Sequence, residues 1–186
     1  MKELRDYSGE FAPDIRFQDF SKDTLAELLR VYSQVIQATD GLWYLAIKER
    51  RGDEDAFACD LWAAPRVVGI MVEEVAKLLK IQGKDIPAVM KYLQVAPWLG
   101  TYQYKVELKK ANQGILITNH CPTLAALERE GEGREKNICQ MVCGGLIYRK
   151  IADFFNPDIE VNALKLPPRE GEEETCCEWE FKLEGN

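Results

Sequence analysis

The spacing of apolar residues changes once along this chain, near residue 100, and that change limits the folds open to it. Before it, apolar residues recur at helical intervals. Leu25, Leu28, Leu29, Tyr32 and Ile36 form one series, and Phe57, Leu61, Ala64, Val68, Met71, Val75 and Leu78 form a second. After it, Tyr102, Tyr104, Val106 and Leu108 alternate with polar residues, which is the pattern of a half-buried strand. Ile159, Val161 and Ala163 alternate again, and so do Cys177, Trp179, Phe181 and Leu183. Helices first and a mixed half afterwards imply an α+β fold. The expected architecture is an N-terminal helical layer packed on a mostly antiparallel C-terminal sheet with cysteine-bearing helices. The chain reads as a single domain, 1–186, with an arm (1–20), a helical half (21–96) and a Cys-rich α+β half (97–186).

Local signals set the expected boundaries. Ser21 is a helix N-cap, and Gly52-Asp53 stops the first helical region. Asp40-Gly41 marks a break or bend within it. Pro65 should kink or divide the second helix, about Glu54 to Ile81, because proline lacks the N–H that the helix needs. A short helix is expected at Pro87 to Val95. A turn at Asn112 to Gly114 leads to a return strand, Ile115 to Thr118. Helices follow at Thr123 to Glu130 and Lys136 to Phe155. In the arm, Phe11, Ile15, Phe17 and Phe20 are expected to pin the chain to the body. Trp43, Tyr44, Trp62, Tyr92, Trp98, Tyr102 and Tyr104 read as core.

Hydrophobic residues make up 46% and charged residues 30%, a globular balance. The net charge is −7. Nucleic acid and anionic membranes are therefore poor partners, since both are held by clustered Lys and Arg. The first residues are charged where a signal peptide would be apolar, and no apolar run reaches the roughly 18–20 residues that span a bilayer. The chain is expected to stay in the cytoplasm. The wide apolar faces of the long helices allow a homodimer.

Chemistry concentrates in the cysteines. Six are too few to staple a chain of this length, so thiols, metal ligands or reactive groups are expected. Five of the six follow residue 120. Cys139 and Cys143, four apart on a helix, share a face. Strand alternation turns Cys177 toward the apolar side and Cys176 away. One expectation is a metal site of Cys121, Cys139, Cys143 and Cys177, with His120 as an added nitrogen donor, because thiolates take zinc or iron–sulfur clusters. A second makes Cys143 a nucleophile with a carboxylate base, for which Glu128, Glu178 and Glu180 are candidates by position. A third treats the cysteines as small buried hydrophobes. Cys59 reads as packing. Gly144-Gly145 points to close approach of another backbone or a ligand, or to a helix break. Trp98-Leu99-Gly100 is placed to line a cleft for a small-molecule ligand between the two halves.

The order Cys121-Pro122-Thr123, Gly131-Glu132-Gly133, Cys139-x3-Cys143, Tyr148, Asn156-Pro157, Ile159-Glu160-Val161 and Cys176-Cys177-Glu178-Trp179-Glu180-Phe181 resembles the C-terminal pattern of the L-2-amino-thiazoline-4-carboxylic acid hydrolase-like family. That resemblance implies hydrolytic opening of a thiazoline ring. Where that pattern carries an acid after the second helix cysteine, Gly144, Gly145 and Leu146 stand here. Asp6-Tyr7-Ser8-Gly9-Glu10-Phe11 and Asp40-Gly41-Leu42-Trp43-Tyr44 resemble a related bacterial family without an assigned activity. The Cys-rich end is similar, more loosely, to vinyl-reductase-type ligand-binding domains, which implies a small-molecule or metal sensor. The functional expectation is a small-molecule hydrolase-like protein acting on a C–N or C–S bond. Its alternative is a non-enzymatic ligand- or metal-binding domain with a structural cysteine cluster.

Overall fold

The computed structural model describes residues 3–171 and 173–184. Two long helices, α1 (Lys22–Arg51) and α2 (Asp53–Leu79), form a hairpin. A short α3 (Ile86–Leu93) leads into the sheet strands β1 (Gln103–Lys110) and β2 (Gln113–His120). Next come α4 (Pro122–Glu130), the single turn α5 (Glu135–Asn137), a π-helix (Ile138–Tyr148) and α6 (Arg149–Phe155). Strands β3 (Ile159–Lys165) and β4 (Cys177–Leu183) complete the chain. The sheet order is β1-β2-β4-β3, and every pairing is antiparallel. The expected α+β architecture is the one observed.

Capping accounts for the helix ends. Ser21 accepts a hydrogen bond from the Thr24 N–H at 3.2 Å, and Asp85 accepts one from the Ala88 N–H at 3.0 Å. Gly52, at φ +99°, joins α1 to α2 in a conformation that other residues rarely adopt. Two expected breaks are absent. Gly41 lies inside an unbroken α1 with open space around it, and a lone helical glycine costs only about 1 kcal/mol. Pro65 lies inside an unbroken α2, where packing outweighs one lost hydrogen bond.

The main core lies between α2, α3, the end of the π-helix, α6 and one sheet face. Val72, Tyr92, Leu93, Leu99, Leu116, Ile151, Ile159 and Phe181 are fully buried there. A smaller cluster of Leu127, Ile138 and Val142 receives Tyr44, Phe57 and Leu61 from the hairpin. Helix α1 is held largely by polar contacts. Its Ser33 hydroxyl donates to the Pro97 carbonyl, its Gln37 amide donates to the Trp98 carbonyl, and Gln37 accepts from the Thr101 hydroxyl at 2.8 Å. Several aromatics expected inside are outside: Trp43, Trp62, Phe11 and Phe17 are exposed. Helical spacing shows that one face of a helix is apolar but not whether anything covers it. Among the described residues, no helix is long and apolar enough to cross a membrane.

Candidate functional site

Three elements bring five cysteines together. Cys121 ends the β2 connection and caps α4, its Sγ accepting from the Leu124 N–H at 3.3 Å. Cys139 and Cys143 lie on the π-helix. Such i→i+5 helices are rare and concentrate at functional sites. Cys177 opens β4, and Cys176 precedes it, its thiol donating to the Asn119 carbonyl at 3.3 Å. Cys139 and Cys176 are buried with Leu124, and Cys121 packs against them. Cys143 and Cys177 pack against the main core instead. Alternation placed Cys177 correctly on the core side of β4. Cys176, just before the strand, is buried apart from Cys177 in the Leu124 cluster. Cys59 is exposed on α2 and contributes no packing. His120 is exposed at the end of β2.

Gly144 is the packing keystone. A Cβ there would stand 1.9 Å from the Trp179 ring, so only glycine lets β4 approach the π-helix this closely. This selects close approach over helix break. Trp179 in turn packs on Tyr148, with ring centroids 5.2 Å apart.

The carboxylates facing this cluster come from the helical hairpin. Asp60 of α2 and Asp40 of α1 both act electrostatically on Cys143. Burial first, and then the Asp40 charge, raise Asp60 to about 6. Burial also raises Asp40, although that residue keeps one side in solvent. The thiols are held neutral. The adjacent Cys139 thiol, burial, and the Asp60 and Asp40 charges push Cys143 well above the ordinary thiol range. Burial raises Cys121 to about 11 and Cys177 to about 12. Burial, followed by Cys121 and Cys143, pushes the Tyr102 hydroxyl up. Cys121, Cys143, Cys177 and Tyr102 are all closely surrounded by protein, yet each keeps some accessible surface.

Two buried polar atoms beside Cys177 lack a well-formed hydrogen bond among the described residues. Thr118 and Trp179 both favour the ionised form of that thiol. Neither the Thr118 hydroxyl nor the Trp179 Nε1–H makes a hydrogen bond of ordinary geometry, though both residues are almost fully buried. Buried polar atoms are rarely left this way unless something else satisfies them.

The acids expected from position do other work. Glu128 forms a two-pronged ion pair with Arg169, at 2.8 and 2.7 Å, and Glu180 accepts from the Gln113 amide at 2.6 Å. Asp40 and Asp60 were not singled out. Their signal was available, since Asp60 falls among Phe57, Leu61 and Ala64 on an otherwise apolar helix face. The expected ligand set of Cys121, Cys139, Cys143 and Cys177 divides between two packing clusters. Among the described residues, no group of three or more His, Cys, Asp or Glu side chains is placed to hold a metal ion. The structure therefore does not assemble these residues as a ligand set for zinc or an iron–sulfur cluster.

The fold and this cluster define an α+β protein whose packed thiols are held neutral and are flanked by Asp40 and Asp60 of the hairpin. Over residues 18–183 the chain matches a family of unknown function (DUF6125), and it belongs to that family. No curated protein and no solved structure matches it.

Proposed function

We propose that this protein is a small-molecule hydrolase-like enzyme that cleaves a C–N or C–S bond with Cys143 as nucleophile and Asp60 as its base. The observation that carries the reading is the electrostatic coupling of Cys143 to a carboxyl held near 6, a value suited to proton transfer at neutral pH. Cys143 rests as the thiol, so nucleophile and base act together. Sγ bonds to the electrophilic carbon while its proton passes to Asp60. That proton then goes to the departing nitrogen or sulfur as the bond to carbon breaks. Water, giving a proton to Asp60, then bonds to the same carbon; the carbon–Sγ bond breaks, the Asp60 proton returns to Sγ, and the hydrolysed product leaves.

Burial and the neighbouring charges hold the Cys143 thiol well above its ordinary range, so proton transfer to Asp60 is uphill and must accompany formation of the Sγ–carbon bond. Tyr102, Thr118 and the Trp179 Nε1–H supply neutral donors for substrate polar atoms.

The test is hydrolysis of thiazoline-type substrates by wild type, Cys143→Ser and Asp60→Asn. Both variants are expected to lose at least about a hundredfold in kcat. Equal rates in all three would remove Cys143 and Asp60 from the chemistry. A second reading draws on the neutrality of Cys121, Cys143 and Cys177: a non-enzymatic small-ligand-binding domain whose cysteines are structural. It predicts ligand binding without turnover, and binding that survives Cys143→Ser.

A further inference from the structure

Helix α1 carries a second sequence pattern that its own fold leaves unused. Leu25, Leu29, Tyr32, Ile36, Thr39, Trp43 and Ala46 are separated by alternating steps of four and three. That is the seven-residue repeat of a helix that winds around another helix, with these residues along the seam. The seam extends roughly 30 Å at 1.5 Å per residue.

The protein half-covers Leu25 and Ala46 at the seam's ends and leaves its middle open. Leu29 is 68% exposed, Tyr32 47%, Ile36 38% and Trp43 68%. On one flank, Ser33, Asp40 and Tyr44 turn toward the rest of the chain: Ser33 bonds to Pro97, Asp40 acts on Asp60, and Tyr44 joins the Leu127 cluster. On the other flank, Val35 is 55% and Leu42 66% exposed. Thus α1 binds its own domain through a mainly polar face and leaves its apolar repeat outside.

We propose that this seam pairs with the same seam of a second copy of the chain, making a two-fold dimer. Three observations select that occupant. A heptad repeat specifies a helix of matching period, and α1 of another copy is such a helix. The four seam side chains with Val35 and Leu42 expose on the order of 700 Å² of apolar surface, close to the roughly 800 Å² that each partner contributes to a standard interface. Isolated monomers seldom leave a contiguous patch that large. The net charge of −7 argues against an anionic bilayer as the cover. The proposal is independent of the chemistry at Cys143, although Asp40 lies at the rim of the same seam, so pairing would also shield its open side.

The test is sedimentation equilibrium of the full chain, with thermal melting of each variant as a folding control. Wild type is expected at twice the 21.3 kDa chain mass. Leu29→Glu and Trp43→Glu should weaken dimerisation by about thirtyfold or more, and Leu78→Glu, exposed on α2, should leave it intact. Should a seam variant fail to fold, Thr39→Cys in a Cys59→Ser background gives a second readout: mild oxidation should trap a covalent dimer. Monomeric wild type at high micromolar concentration would overturn the proposal. A dimer indifferent to both seam variants would do the same, as would a monomer whose tryptophan emission shifts on zwitterionic vesicles.

Discussion

Replacing Asp60 with asparagine should make this protein more stable while removing its chemistry. Asp60 is raised from an ordinary 3.8 to about 6, chiefly by burial and secondarily by Asp40. The folded state therefore holds the Asp60 proton more tightly than the unfolded chain does. Between the unfolded value near 4 and the folded value near 6, the native state binds more protons, and stability falls as pH rises. A two-unit difference corresponds to about 3 kcal/mol, and partial solvent access reduces the share expected to about 1–2 kcal/mol. Asparagine keeps the shape and cannot ionise. Urea unfolding of wild type and Asp60→Asn at several pH values isolates the difference, because the carboxyls lowered by their partners (Glu107, Glu128 and Glu174) contribute equally to both. The variant should gain about 1–2 kcal/mol over wild type at pH 7.5 and nothing at pH 4. Parallel pH profiles, or a variant less stable at pH 7.5, would refute the reasoning.

Gly144→Ala should cost about 3 kcal/mol or more by thermal or urea unfolding, since its Cβ would displace a buried Trp179 that already packs on Tyr148. Cys121→Ala should cost about 1 kcal/mol by removing the α4 cap, and Cys121→Ser should restore most of it. Glu128→Ala should cost about 2–4 kcal/mol in urea, because it strips the carboxylate from an Arg169 side chain only 6% exposed. At pH 7, a thiol reagent should modify exposed Cys59 much faster than Cys121 or Cys177, as peptide mapping over time would show.

Much of the fold was legible in the sequence because the period of the apolar residues reports the type of element. The alternation of Cys177, Trp179, Phe181 and Leu183 located β4 to the residue. Stop signals were less informative. Gly41 and Pro65 weaken a helix locally, yet α1 and α2 are long enough to absorb the loss. The helical spacing of Cys139 and Cys143 placed both on one helix, where the structure has them. The carboxylate half of the site was not legible, because Asp40 and Asp60 lie far from the cysteines in sequence and only the hairpin's packing brings them near. Asp40 in particular read as punctuation beside Gly41. Exposure of Trp43 and Trp62 was also hidden, since an apolar residue facing a partner and one facing its own core follow the same spacing.

The central claim is that Asp60 governs the reactivity of Cys143. Its most direct test is the rate of Cys143 alkylation by a small neutral electrophile as a function of pH, mapped by mass spectrometry in folded wild type and Asp60→Asn. The account predicts modification of Cys143 in the folded protein with a rate that rises through about pH 6 and loses that inflection in the variant. A Cys143 that stays unmodified until the protein unfolds, or one whose rate rises only in the alkaline range and identically in both proteins, would contradict it.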